Sequence, residues 1–284
     1  MTIERLGIVG SGIMGSGIAE VAAKAGVTVV LRSRKQETAD DMVAALDRSL
    51  ARQVDKGRLE AADAEAARGR VSATNDLDAL ADCDLVVESV VEDLDVKKQL
   101  FVELDRIVKD GGILATNTST LPVVEIAVET GRPEQVIGIH FFNPAPAMAL
   151  VEVVRTLVSS DETVAAAVAF AEACGKDPVV VEDRAGFIVN ALLFPYLNNA
   201  VRMLENRTAS REDIDSAMKG GCNFPMGPLA LLDLVGLDTS VAILDALYTE
   251  FRDPNYAAVP LLRRMVAAGH LGRKSGQGFY DYGR

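Results

Sequence analysis

Tryptophan is absent from this 284-residue chain, and aromatic residues make up only 5%. A core must therefore be built from Val, Ala, Leu and Ile. The 49% apolar content is enough for one, which excludes global disorder. Cysteine is scarce: Cys83, Cys174 and Cys222 are widely spaced, with no CxxC. That excludes a disulfide framework and leaves buried free thiols in a reducing compartment as the expectation. Histidine is scarcer still. With only His140 and His270, and no HExxH, a His-based metal site lacks ligands, and no metal is expected. No apolar run approaches the roughly 20 residues of a membrane span, and the N-terminus enters a strand pattern at once, without a signal-peptide pattern. Positive charge is in deficit, at a net −12, which argues against nucleic acid or a membrane surface as partner. The expectation is a soluble cytoplasmic protein in which any anionic ligand needs a local basic pocket.

Through the first 180 or so residues, short apolar runs alternate with helical patterns. Strands are expected at 6–9, 27–31, 71–73, 85–87, 113–116, 136–142, 150–154 and 179–181, with helices at 14–24, 36–54, 96–108 and 164–174. Such alternation implies a mostly parallel sheet covered by helices, an α/β class. After Asp183 only helical patterns appear, at 188–204, 211–218, 229–251 and 261–268. The expected organisation is a Rossmann-type domain, 1–184, followed by a smaller all-α domain, 185–284.

Gly10-Ser11-Gly12-Ile13-Met14-Gly15 reads GxGxxG. Alone the motif is weak, and a plain strand-to-helix turn would account for it. Here it follows a buried strand and opens a helix in the first βαβ unit, the context in which a dinucleotide pyrophosphate is cradled. A carboxylate about 20 residues further on normally holds the ribose 2′-OH. This chain instead runs into Arg32, Ser33, Arg34 and Lys35, and its first acid is Glu37. A small hydroxyl that can donate, flanked by guanidinium groups, suits a 2′-phosphate and favours NADP(H) over NAD(H). The competing account is a solvated basic turn beside NAD, with Glu37 or nothing on the ribose.

His140 precedes a break at Pro144 and Pro146, after which an apolar strand resumes containing Glu152. If the two strands form a hairpin centred near Pro146, His140 and Glu152 each lie six residues from the centre and face one another. A carboxylate there can orient the imidazole and raise its basicity for proton transfer. Thr116-Asn117-Thr118-Ser119 follows another strand at its carboxyl end, where ligands bind in such sheets, although helix capping also explains it. Asn190 sits amid an apolar helical pattern and needs a partner; an interhelical hydrogen bond accounts for it equally well.

The blocks GIVGSGIMGSGIAE, ADCDLVVESVVEDLDVKKQLF, ATNTSTLPV, GIHFFNPAPAMALVEVV, AGFIVNALLFPYLNNA, MGPLALLDLVGLD and LGRKSGQGFYDY occur in order. Together they resemble the L-3-hydroxyacyl-CoA dehydrogenase family, particularly its short bacterial 3-hydroxybutyryl-CoA dehydrogenases. The resemblance implies an oxidoreductase that moves hydride between a nicotinamide cofactor and C3 of a short acyl-CoA. It implies His140 as general acid/base, Glu152 as its orienting partner, and Ser119 and Asn190 on the substrate oxygen. It further implies Asn143 beside the nicotinamide, Glu92, Lys97 and Lys274 as cofactor contacts, Ser49 and Lys56 as coenzyme A contacts, and a homodimer formed through the helical domain. Two residues depart from the pattern. Ser33 stands where the family usually has an acid, and Ala149 where it often has Lys. An NADP(H) enzyme would run reductively, from acetoacetyl-CoA to (S)-3-hydroxybutyryl-CoA. The alternatives are a dehydrogenase of 3-hydroxyadipyl-CoA or of a hydroxy sugar acid, or a dinucleotide-binding protein without catalysis. Arg52, Lys56 and Arg58 form a basic cluster that suits a coenzyme A phosphate but also reads as a solvated face.

Overall fold

The computed structural model describes residues 2–283, which divide into two compact units, Met1–Asp183 and Arg184–Arg284. The first unit runs β1 (Arg5–Val9), α1 (Ile13–Lys24), β2 (Thr28–Arg32), α2 (Gln36–Asp55), α3 (Ala61–Gly69), β3 (Val71–Thr74), β4 (Leu85–Glu88), α4 (Leu94–Ile107), β5 (Ile113–Thr116), α5 (Val123–Ala127), β6 (Val136–Phe141), β7 (Leu150–Arg155), α6 (Asp161–Ala173) and β8 (Asp177–Glu182). Its eight strands form one sheet in the order β3-β2-β1-β4-β5-β6-β7-β8. All neighbours are parallel except β6 and β7, which are antiparallel. Every residue of β4, β5 and β6 is buried, as expected of central strands covered on both faces.

The helices follow from their apolar stripes and caps. In α2 the buried residues Ala39, Met42, Val43, Leu46 and Leu50 recur at helical spacing. Asp93 caps α4 by accepting from Val96 N at 3.0 Å, and Ser160 caps α6 by accepting from Thr163 N at 3.1 Å. In α1 small residues permit close approach: a Cβ on Gly15 would stand 2.9 Å from Met42 Cε and 3.1 Å from Gly10 O. The short α5 has no expectation behind it. Its first N–H groups, Val123 N and Val124 N, donate to the Asp183 carboxylate at 3.0 and 2.7 Å, a cap supplied 60 residues away.

The second unit holds α7 (Val189–Glu205), α8 (Arg211–Cys222), α9 (Pro228–Val235), α10 (Leu237–Phe251) and α11 (Pro260–Ala267). Its core includes Phe194, Leu197, Val201, Leu229, Leu232, Leu244, Leu247 and Leu262. The single helix expected over 229–251 is two helices. Gly236, at φ 104°, breaks the chain between them without interrupting the apolar pattern. Two buried carboxylates organise this unit. Asp215 accepts from Leu229 N and Ala230 N at the start of α9, while Asp233 accepts from Phe279 N, Tyr280 N and the Tyr282 hydroxyl and so ties down the tail. Burial raises the Asp233 carboxyl above the ordinary aspartate value, against the pull of those donors. The thiols also differ from expectation: Cys83 is buried and Cys174 partly so, but Cys222 is exposed, at the end of α8 where the chain turns through a left-handed Asn223.

Candidate functional site

The first β-to-α turn forms a cradle. Gly10, at φ 137°, lies so close to β4 that a Cβ there would stand 2.1 Å from Ser89 O. Only glycine fits. A Cβ on Gly12, by contrast, would meet nothing within 4 Å, and α1 begins there without a side-chain cap. The free N–H groups of this helix terminus, with open ground before them, fit an anionic pyrophosphate. Ser11, Gly12 and Ile13 are exposed at this mouth, Met14 is half-buried, and Gly15 packs inward.

A cavity of about 700 Å³ opens beside the cradle. It is lined by Gly10, Ser11 and Gly12, by Arg32, Ser33 and Arg34 after β2, and by Val91, Val96 and Glu103 around α4. Arg32 and Arg34 are the cations in that lining, and Arg32 Nε is buried without a hydrogen-bond partner. Such an N–H is costly unless something accepts from it. Ser33 behaves differently from expectation. Thr38 Oγ1 donates to Lys35 O at 2.8 Å, so the Ser33 hydroxyl must donate to Thr38 Oγ1, 2.5 Å away. Its proton points inward, and the arginines are the charged donors that this segment gives the cavity. Glu37, in the first turn of α2, is not part of the cavity wall.

The expected hairpin is present, in the expected register. His140 on β6 pairs with Glu152 on β7, and Nδ1 lies 2.7 Å from Glu152 Oε2. Both residues are almost fully buried, at 4% and 1% exposure. A carboxylate accepts, so Nδ1 carries the proton of this bond. The Phe142 ring packs 4.4 Å from the imidazole, centroid to centroid. Asn143 follows, exposed in the turn.

The loop after β5 is joined to the same hairpin, because Asn117 Oδ1 accepts from Phe141 N at 2.8 Å. Glu92 holds this loop, accepting from Thr118 Oγ1 at 2.5 Å and from Ser119 N at 2.9 Å. Behind it lies Lys97. The ammonium sits 2.6 Å from Glu88 Oε1 and 3.3 Å from Glu92 Oε2, with Lys97 and Glu88 exposed by only 1% and 0%. Glu88 also accepts from Thr116 Oγ1 at 2.7 Å and from Val90 N at 2.6 Å. Lys97, expected at the cofactor, is thus enclosed between two carboxylates, and Glu92 is its link to Ser119.

Residues 5–184 match the family described as "3-hydroxyacyl-CoA dehydrogenase, NAD binding domain", and residues 186–282 match "3-hydroxyacyl-CoA dehydrogenase, C-terminal domain". The chain belongs to the 3-hydroxyacyl-CoA dehydrogenase family. It is 49% identical to a 3-hydroxybutyryl-CoA dehydrogenase of Mycobacterium tuberculosis, over 99% of both chains. It is 47% identical to that of Clostridioides difficile, over 99% of this chain and 100% of the relative. The crystal structure of (S)-3-hydroxybutyryl-CoA dehydrogenase PaaH1 from Ralstonia eutropha superposes with a TM-score of 0.97 at 44% identity, covering 100% of each chain.

Within this family member, the remaining expected residues lie on other elements. Ser49 is half-buried on α2, where its hydroxyl and carbonyl face Gln53 Nε2; Lys56 is exposed at the α2 C-cap. Neither lines the 700 Å³ cavity. Asn190 and Lys274 belong to the second unit. Asn190 is buried in the first turn of α7, not in the middle of a helix, because Gly186 and Phe187 turn the chain at positive φ just before it. Lys274 Nζ donates to Asp238 Oδ2 at 2.6 Å. Sequence reasoning singled out the polar run with Thr116 and Asn117 but not their partners, Glu88 and Phe141 N; nothing marked Glu88. Among the described residues no three His, Cys, Asp or Glu side chains form a metal-binding group.

Proposed function

We propose that this protein is an NADP(H)-dependent 3-hydroxybutyryl-CoA dehydrogenase that reduces acetoacetyl-CoA to (S)-3-hydroxybutyryl-CoA. The observation that carries the reading is the buried His140–Glu152 pair at 2.7 Å, on a hairpin tied to the Ser119 loop. The bound nicotinamide supplies the hydride for C3. His140, in its protonated form, donates from Nε2 to the developing alkoxide, and Glu152 stabilises the imidazolium through Nδ1. In the reverse direction the imidazole takes the hydroxyl proton. Ser119 and Asn190 hydrogen-bond the oxygen on C3. Asn143 borders the nicotinamide, and Ser49 and Lys56 meet coenzyme A.

Support for the 2′-phosphate comes from the β2 end: two arginines on the cavity wall, a buried Arg32 Nε without a partner, and no carboxylate from that segment. The test is kcat/KM for NADPH against NADH with acetoacetyl-CoA. A clear NADPH preference supports the whole reading. A clear NADH preference keeps the dehydrogenase and removes the role given to Arg32 and Arg34. Activity with neither sends the search to other hydroxy substrates, and then to a cofactor-binding role without turnover.

The protein works as a homodimer through its helical unit, in the cytoplasm. Exposed Leu192 and Met203, three turns apart on α7, support the first statement, and sedimentation equilibrium tests it. Three free thiols support the second, since such thiols persist in a reducing compartment.

A further inference from the structure

One buried charge in the first unit has no part in that chemistry. Lys176, just before β8, is 8% exposed, and its ammonium is held by main-chain carbonyls: Nζ donates to Ala145 O at 2.7 Å and to Met148 O at 2.8 Å. Both carbonyls belong to the turn joining β6 to β7. The turn is otherwise tied by Ala147 N and Met148 N on Pro144 O, and by Asp177 N on Ala149 O. It also meets α1, where a Cβ on Gly17 would stand 3.2 Å from Ala145 Cβ. The turn is therefore held both by packing on the helix that opens at the glycine cradle and by a single ammonium. A buried ammonium is expensive to keep, and a charged donor bonds a carbonyl about twice as strongly as a neutral one.

We infer that Lys176 is a positioning residue for the reaction: by clamping the β6–β7 turn it sets where His140 and Asn143 stand relative to the cofactor cradle. The inference rests on the dehydrogenase reading of His140. It has a consequence for pH. Burial holds the Lys176 ammonium below the ordinary lysine value. The groups acting on it are Cys174 in its own segment and Lys24 and Glu20 on α1. Deprotonation weakens both bonds to the turn, so activity falls at alkaline pH sooner than loss of fold requires.

The experiment compares Lys176→Met and Lys176→Arg with the parent enzyme, using acetoacetyl-CoA and NADPH across neutral and alkaline pH. The expected result for Lys176→Met is a kcat about tenfold lower or more, with KM for acetoacetyl-CoA changed far less, since small displacements of reacting groups act on the chemical step. Lys176→Arg keeps a charged donor, restores most of kcat, and moves the alkaline fall to higher pH. A destabilised control, Ser159→Ala, removes a hydrogen bond to Val136 O at the start of β6 and leaves the pH profile unchanged. A folded Lys176→Met with parental kcat overturns the inference. So does an alkaline limb identical in Lys176→Arg and the parent, which decides the matter even if Lys176→Met does not fold. His140→Gln separates the two readings: if it is fully active the acid–base role of His140 fails, and if it is inactive that role holds and the Lys176 result is judged by itself.

Discussion

Replacing Lys97 with methionine removes the cation between two carboxylates while keeping most of the side-chain volume. Glu88, at 0% exposure, is left with its charge buried and only Thr116 Oγ1 and Val90 N as donors. Breaking a buried pair in this way costs about 3–5 kcal/mol. A unit of 183 residues shifts in midpoint by roughly 2–4 °C per kcal/mol, so the unfolding transition should fall by roughly 6–20 °C. Thermal denaturation followed by circular dichroism measures it. The double variant Glu88→Gln/Lys97→Met should recover about 0.5–3 kcal/mol, because the orphaned charge is gone. If Lys97→Met lies within about 1 kcal/mol of the parent, the pair behaves as a surface contact and the reasoning is refuted. Lost cofactor affinity without lost stability would point the same way, to a lysine that touches the cofactor directly.

Glu152→Gln removes the charge that stabilises the imidazolium; kcat should drop about 100-fold or more with an unchanged near-ultraviolet spectrum, and a drop under threefold would sink the pair's proposed role. Ser33→Asp sets a carboxylate beside Arg32 and Arg34, so kcat/KM with NADPH should fall about 10–100-fold while that with NADH rises, as paired steady-state assays would show. Asp84 bears on acid stability. Burial alone would raise its carboxyl, but the Lys109 ammonium and the Arg5 and Glu4 N–H groups outweigh burial and hold it below the ordinary value of 3.8. A depressed carboxylate contributes stability above that ordinary value and loses it as pH falls through the folded value. Asp84→Asn should therefore be less stable by about 1 kcal/mol at neutral pH, with the gap closing in acid; a gap independent of pH would contradict this account.

What could be read from sequence was what is local. The glycine cradle is legible because its three glycines fall within six residues between a strand pattern and a helix pattern, and the His140–Glu152 pairing because an antiparallel register follows from counting out from a turn. The break at Gly236 was not legible, since Leu229 to Phe251 keeps a helical period across it. The enclosure of Lys97 was not legible for a related reason. A charge on an amphipathic helix reads as solvated or ligand-facing, and only the fold brings Glu88, nine residues back at the end of β4, to 2.6 Å from it. The inward proton of Ser33 depends on Thr38 having already spent its own on Lys35 O, a relation no pattern of residue types encodes.

The position of the His140–Glu152 pair in this sheet has a physical reason. Neighbouring parallel strands require a crossover of a dozen or more residues, so their side chains come together only through long loops. The antiparallel β6–β7 pair joins His140 to Glu152 across twelve residues of chain. Side chains in such a pair alternate with period two, so a slip of one residue would carry Glu152 to the opposite face of the sheet and leave the imidazole without its carboxylate. Register thus decides whether the proposed acid–base pair forms. The elements that pin it are the Pro144 carbonyl, which accepts two N–H bonds within the turn, the Asp177 N to Ala149 O bond, and the Lys176 ammonium on Ala145 O and Met148 O. Loosening the turn should therefore reach the proton-transfer step before it reaches substrate binding, which is why kcat and its pH dependence, more than KM, report on it.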